Sequence, residues 1–235
     1  MIRAAPGGLD RPVWTALTTR QADLARGQYP AFRLKLEIGL FGAAADTTPA
    51  SLNALADLAP TDMAPMGGGI WLVETGPWPP LPGLVQVSAA ACHQMIAFDV
   101  PPPPADFQAV ELADADAPAM LALATLTVPG PFFSETHRFG GFIGVKQDGV
   151  LVAMAGERMR VPGATEVSGV CTHPAHRGRG HANALIRAVA GRILARGEVP
   201  FLHVYATNTP AIALYQSLGF TLNRVVTMTA YRRAG

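Results

Sequence analysis

Arg177-Gly178-Arg179-Gly180-His181-Ala182 is a run whose residue types suit one task, the holding of an anion. Its two glycines permit positive φ and let a ligand approach the backbone closely. Arg177 and Arg179 add positive charge. From Ala182 onward Leu185, Ile186, Val189, Ile193 and Leu194 fall at helical spacing, so the run opens a helix, which Gly197 is placed to end. The first turn of a helix leaves backbone N–H groups unpaired at the positive end of its dipole. Before the run, Glu166 to Thr172 carries β-branched residues at strand-like spacing, and Pro174 breaks that pattern. Strand, Gly-rich turn and helix, in that order, form a cradle for a phosphate or pyrophosphate, with room left by the small Gly180 and Ala182. The plainer alternative is an ordinary Gly-rich turn before a core helix.

A second run stands further on. Asn208-Thr209-Pro210-Ala211-Ile212-Ala213-Leu214-Tyr215-Gln216-Ser217-Leu218-Gly219-Phe220 follows an expected strand from Phe201 to Tyr205. Residues 177–182 resemble the Arg/Gln-x-x-Gly-x-Gly/Ala signature of the GNAT superfamily of acyl-CoA-dependent N-acyltransferases. Residues 208–220 resemble its second signature, Asn-x-x-Ala-x-x-Leu-Tyr-x-x-x-Gly-Phe. A plain turn accounts for the first run but not for the second. The resemblance reaches from about Phe107 to the end of the chain and says nothing specific about the first hundred residues.

That resemblance implies an α/β (α+β) fold with a mixed, splayed central sheet flanked by helices, acetyl-CoA as cosubstrate, and an amine as acceptor. It implies cofactor contacts at Val170, Cys171 and Thr172 along the pantetheine, at Arg177, Gly178, Arg179, Gly180, His181 and Ala182 around the pyrophosphate, and at Asn208, Ala211 and Tyr215. Tyr215 matches the tyrosine that protonates the departing CoA thiolate in many GNAT enzymes; the alternative is a tyrosine that only packs. Glu166 is the candidate general base, against a carboxylate that is merely solvated. His203, two residues before Tyr205 and so on the same strand face, could orient the acceptor or relay a proton, or be a satisfied core histidine. Phe132 and Phe133, in the loop Pro129 to Arg138 with Glu135 and His137, could wall the acceptor site or belong to the core. A covalent mechanism at Cys171 is not expected, since nothing evident activates that thiol. His173 and His176 lack metal-ligand spacing with other ligands, so no metal is expected.

The elements that must position these residues follow from the rest of the chain. At 235 residues it suits two modest domains, and 49% hydrophobic with 15% charged residues describes a folded chain. A net charge of +1 gives no reason to expect nucleic acid or an anionic membrane as partner. Two cysteines make no disulfide framework, and the opening MIRAAPGGLDRPVW has no continuous apolar stretch, so cytoplasmic residence is the default expectation. Residues 11–27 read as a helix with Asp10 as cap, Tyr29 to Leu40 as a strand, Ser51 to Leu58 as a Ser-capped helix, and Gly69 to Glu74 as a buried strand. Met66-Gly67-Gly68-Gly69 reads as a loop. Leu84 to Ser88 and Gln94 to Phe98 are further strand candidates, and Trp71, Trp78 and His93 could line a pocket. Pro101 to Pro104 favours an extended segment. The expected division is therefore an N-terminal α/β domain at 1–100, which could be a degenerate GNAT-like copy, a Pro-rich linker at 101–106, and a GNAT domain at 107–235.

In that second part Phe107 to Leu112 reads as a strand, Asp114 or Asp116 caps a helix, and Asp148-Gly149 turns a hairpin between apolar runs. Thr221 to Tyr231 makes the final strands. Three functions fit: acetyl transfer to a small amine, amino acid or peptide, amino-acid N-acylation from a longer acyl-CoA, and acyl-CoA sensing with little turnover. Monomer and homodimer are both open.

Overall fold

The computed structural model describes residues 4–61 and 69–233. Of the loop expected at 66–69, residues 66–68 lie outside the described residues. In chain order the elements are α1 (Pro12–Thr18), β1 (Ala25–Gln28), β2 (Ala31–Leu34), β3 (Gly42–Ala44), α2 (Pro49–Asp57), β4 (Ile70–Glu74), β5 (Leu84–Ile96), β6 (Val110–Glu111), α3 (Ala117–Thr127), β7 (Ile143–Gln147), β8 (Val150–Val161), β9 (Ala164–Thr172), α4 (His181–Ala195), β10 (Val199–Tyr205), α5 (Thr209–Ser217) and β11 (Thr221–Arg233).

β1, β2 and β3 form a small antiparallel sheet. The other eight strands form one mixed sheet in the order β4-β11-β5-β10-β9-β8-β7-β6. Strands from both sides of residues 101–106 build it, since β5 pairs with β10 and β11, and β4 pairs with β11. Only β9 and β10 run parallel, and their pairing is confined to Ala164–Glu166 against Val199–Phe201. Beyond those three residue pairs the two strands separate. β9 also carries a bulge: Met154 faces Cys171 and Gly156 faces Ser168, so Gly169 and Val170 together oppose Ala155. Gly169 has φ +63, and a Cβ there would stand 2.7 Å from the Phe142 ring, so the bulge needs glycine.

The two faces of the sheet are covered differently. Period-2 alternation sends Leu202, Val204 and Val167 to one face, where Leu185, Ile186, Val189, Ala190 and Ile193 of α4 pack on them. Phe201, Met159, Val226 and Met228 go to the other, beneath Leu9, Val13, Leu17, Leu34, Ile38 and Phe41. The N-terminal segment is thus the second covering layer of the sheet. Glu166, next to Val167, and His203, next to Leu202, fall on the face it covers.

Several local expectations change. The helix expected to Gly27 stops at Thr18, and Gln21 is buried, with Nε2 donating to the Arg158 carbonyl at 2.7 Å and Oε1 accepting from Arg160 N at 3.0 Å. Satisfying those β8 groups directs the chain away from helix and into β1. The strand expected over 29–40 shortens to β2, because the chain turns at Lys35, whose carbonyl accepts from Ile38 N. Thr48, not Ser51, caps α2. The two strands expected at 84–88 and 94–98 are one, β5, held as strand across Ala89 to Ala91 by pairing with β11. The strand expected from Phe107 narrows to Val110–Glu111. The hairpin at Asp148-Gly149 has φ of +50 and +79, as a two-residue turn with positive φ requires.

Candidate active site

The separation of β9 from β10 opens two cavities that share Val170 and Pro129. The larger, about 430 Å³, lies along the end of β9 and the start of α4. Val170, Cys171, Thr172, Arg177, Gly178, Gly180, His181 and Ala182 line it, with Asn183 and Leu214. Gly180 is the helix cap at φ +80 and offers no side chain to the first turn. The N–H groups of that turn are left for a ligand. Two buried polar atoms on the same wall, Thr172 Oγ1 and His181 Nε2, have no partner among the described residues. Glycines, Arg177, open helix amides and orphaned donors fit a pyrophosphate with an amide-bearing arm. Arg179 does not line this cleft; its guanidinium lies 3.5 Å from both His176 Nδ1 and the Ala175 carbonyl. Ala211 lines neither cavity and packs on the α4 side of the core.

The smaller cavity, about 140 Å³, lies on the other side of the split. Ser168 beside the bulge, Gly169 and Val170 of it, Pro129 to Pro131, His203, Tyr205, Asn208, Tyr215 and Arg158 line it. Phe41, Trp71, Cys92 and Met228 close it from the N-terminal side and the β5–β11 strands. Phe41 and Trp71 are joined by a parallel bridge, with ring centroids 6.3 Å apart and edge-on. Trp71 was among the aromatic residues that could line a pocket; Trp78 instead stacks over Arg11 at 4.9 Å.

Tyr215 reaches this cavity from α5 and meets the Phe220 ring edge-on at 6.1 Å. Burial pushes its phenol pKa up, so the hydroxyl carries its proton at neutral pH. Asn208 caps α5, with Oδ1 accepting from Ala211 N at 3.2 Å. Cys171 is buried, and burial lifts its thiol to about 11, which leaves it a poor nucleophile.

Glu166 sits beneath the cavity wall rather than in it, fully buried. Oε1 accepts from Arg158 Nη2 at 2.6 Å and from His203 Nδ1 at 2.7 Å; Oε2 accepts from Arg158 Nε at 2.9 Å and from Met159 N at 3.3 Å. Burial alone pushes its pKa up, but the Arg158 charge, the His203 ring and the hydrogen bonds from both outweigh it and bring it to about 2. Arg158 loses from burial and gains more from Glu166, so its pKa rises. The pair is neutral overall, and Arg158 also stacks over Phe41 at 4.9 Å.

Phe132 is 4% exposed and packs edge-on against Phe142 at 5.8 Å; it does not line the smaller cavity itself but lines a pocket of about 20 Å³ that shares Pro129 to Pro131 with it. Phe133 does not line the smaller cavity either; its backbone N–H donates to Thr136 Oγ1. The prolines and glycine just before them take that place. Sequence reasoning missed Phe41, Arg158, Cys92 and Met228, and the one signal present was the charged trio Glu157, Arg158 and Arg160 near the end of a strand that is otherwise apolar. Among the described residues no three His, Cys, Asp or Glu side chains gather as a metal site requires.

Residues 142–229 match the family model described as FR47-like protein. Over 82 residues the chain is 38% identical to a curated protein from Mycobacterium tuberculosis, N-alpha-acetyltransferase RimI, a stretch that is 34% of this chain and 51% of that one. The chain thus spans about half the length of the curated relative it matches. A crystal structure from Novosphingobium aromaticivorans DSM 12444, described as an acetyltransferase of the GNAT family, is 46% identical with a TM-score of 0.88, over 97% of this chain and 99% of that one. A GCN5-related N-acetyltransferase from Kribbella flavida shares the fold over 98% of each chain, at 18% identity and a TM-score of 0.66. With a relative this similar along nearly the full length of both chains, the protein belongs to the GNAT family of acetyltransferases.

Proposed function

We propose that the protein transfers the acetyl group of acetyl-CoA to the α-amine of an amino acid or a peptide. The observation that carries this is the junction of the two cavities at Val170 and Pro129, with an acceptor side that no carboxylate lines among the described residues and whose neighbours Glu166 and Glu157 are paired with Arg158 and with Arg160 and Arg196. A polyamine or aminoglycoside site would need uncompensated negative charge. The acceptor side offers instead aromatic and sulfur-bearing walls, Phe41, Trp71 and Met228, beside a guanidinium suited to a carbonyl or carboxylate next to the amine. The likeness to a protein named N-alpha-acetyltransferase points the same way.

In this reading Arg177, Gly178, Gly180, His181 and Ala182 hold the pyrophosphate on the α4 amides, with Arg179 adding charge at the rim. Val170, Cys171 and Thr172 run beside the pantetheine. The thioester then lies in the β9–β10 gap, where the bulge at Gly169 and Val170 frees backbone groups from the strand ladder. A neutral amine in the acceptor cavity attacks the carbonyl carbon; proximity supplies much of the rate. The C–S bond breaks and Tyr215 gives its proton to the thiolate. Glu166 takes the role of positioning His203 and Arg158 rather than that of the free base expected from the sequence. A carboxylate saturated by four hydrogen bonds, at a pKa of about 2, has little tendency to take a proton at pH 7.

The test is release of CoA thiol by the purified full chain, supplied with acetyl-CoA and longer acyl-CoAs against tripeptides, free amino acids, lysine side-chain analogues and spermidine. Turnover with tripeptides or amino acids and acetyl-CoA is expected. Preference for spermidine would overturn the acceptor class, preference for longer acyl groups would favour amino-acid N-acylation, and binding of CoA esters without thiol release would point to a sensor.

A further inference from the structure

Gln94 of β5 is fully buried and touches His203 from the side opposite Glu166. Its Nε2 donates to the Leu9 carbonyl at 2.8 Å and stands 3.2 Å from His203 Nε2. Its Oε1 accepts from Asn223 Nδ2 at 2.8 Å. This environment fixes the amide's orientation. Turned over, it would set its oxygen against the Leu9 carbonyl oxygen and its nitrogen against the Asn223 nitrogen. An amide nitrogen has two hydrogens. One goes to Leu9, and the other faces His203 Nε2, which must therefore be the acceptor. The ring proton is then on Nδ1, donated to Glu166 at 2.7 Å. Donation runs in one direction, from Asn223 through Gln94 and His203 to Glu166.

We propose that Gln94 is a positioning residue that holds His203 as the Nδ1–H tautomer and so removes the His203–Glu166 pair from proton transfer, leaving water in the acceptor cavity to take the amine's proton. This rests on the function proposed above and adds where its protons go. The ammonium gives one proton to water, and the neutral nitrogen forms the C–N bond as the C–S bond breaks. Tyr215 protonates the sulfur and recovers a proton, by way of water, from the nitrogen that has become an amide. Atoms and charge balance as ammonium, acetyl thioester and water giving amide, thiol and hydronium.

The other groups around His203 leave this arrangement undisturbed. Arg158 from β8 and Glu166 from β9 cancel in charge. From β5, the Cys92 thiol is lifted by burial to about 11, and burial likewise raises Tyr205 of β10 and Tyr215 of α5, so all three are neutral at pH 7. Asn223 of β11 is uncharged, and the Phe201 ring meets His203 edge-on at 5.7 Å.

The consequence is selection by the acceptor's own basicity. An α-amine titrates near 7.7–8.0 and a lysine ε-amine near 10.4, so at pH 7 the neutral fraction favours the α-amine by about 400-fold. With no protein base to make up the difference, kcat/KM at pH 7 should favour the α-amine by that factor less the part restored by the greater nucleophilicity of the more basic neutral amine.

Long-range proton–nitrogen NMR spectra of the 15N-labelled full chain read the tautomer directly, with His203→Gln assigning the signals. The expected result at pH 7 is a protonated Nδ1 and a bare Nε2; a protonated Nε2 would overturn the proposal. The pH profile of kcat/KM is expected to level at the acceptor's own pKa, near 8 for a peptide α-amine and near 10 for a lysine analogue. A rise common to both acceptors and ending below pH 7 would instead report an enzyme base and overturn the proposal. Gln94→Met removes the donor, and the expected result is that the single Nδ1–H tautomer is lost from the spectra and such a common step appears in the profiles. Should Gln94→Met fail to fold, the wild-type spectra and profiles still decide. Absence of any CoA release would overturn the function proposed above while the NMR result stood.

Discussion

Tyr215 is half-buried against the α4 side of the core and Glu166 is fully buried on the opposite face, so their surroundings suit them to different tasks. Tyr215 keeps its proton and its hydroxyl makes no hydrogen bond to another described residue, so removing that oxygen should leave the fold intact. Tyr215→Phe is expected to lower kcat by about 10²- to 10⁴-fold, the usual reach of general acid catalysis, with acetyl-CoA affinity unchanged in calorimetry. Glu166 is tied into the core, and Glu166→Gln leaves the Arg158 cation without its counter-charge. That should destabilise the protein by about 3–5 kcal/mol in denaturant titrations. The pH dependence follows from a folded pKa of about 2, below the unfolded carboxylate value of about 4.3. The wild-type advantage over Glu166→Gln is fully present above about pH 5 and is lost as pH falls toward 2. Parallel unfolding curves for the two proteins at pH 3 and 7 would contradict this.

At the scale of elements, two glycines with similar backbone angles serve different ends. Gly180 has φ +80, and a Cβ there would meet nothing within 4 Å. Its conformation shapes the α4 amides toward the cleft, so Gly180→Ala should cost about 1–2 kcal/mol of left-handed strain. Relief of that strain turns the amides aside, and the loss is expected in acetyl-CoA affinity, about tenfold, more than in melting temperature. Gly169 has φ +63 with the Phe142 ring in the way. Gly169→Ala therefore combines strain with a clash in the core beside Phe132, Met154 and Cys171. A lowered melting temperature together with lost turnover is expected, and thermal shifts of both variants with and without acetyl-CoA separate the two cases.

For the whole molecule the question is what the first hundred residues do. They supply β4 and β5 to the main sheet, cover the face that carries Glu166, Arg158 and His203, and bring Phe41 and Trp71 to the acceptor cavity. A fragment of residues 101–235 would leave β11 without either sheet partner and β10 with only the short β9 contact. Such a fragment is expected to lack a cooperative thermal transition in calorimetry. A sharp transition close to that of the full chain would show that the pairing with β4 and β5 contributes little.

How much of this could be read in advance depends on sequence range. The cleft at the start of α4 was legible as a shape because its determinants are local: glycines, an arginine and a helix start within a few residues, where backbone geometry follows from composition. Tyr215, Asn208 and the hairpin at Asp148-Gly149 are local in the same sense. The acceptor side was not legible. His203 meets Gln94 across 109 residues and Gln94 meets Asn223 across 129, and the partner of Glu166 is an arginine on the next strand whose register depends on a bulge. Side-chain parity placed His203 on one face, but parity does not say which segment covers that face. By itself the sequence determined a Gly-rich turn into a helix, a capped helix bearing a tyrosine, and a mixed α/β chain. Tertiary structure alone decided that Glu166 is buried against Arg158 and His203 and that Phe41 and Trp71 from the N-terminal segment close the smaller cavity, because burial and long-range hydrogen bonding, not residue type, set the charge and reach of a side chain.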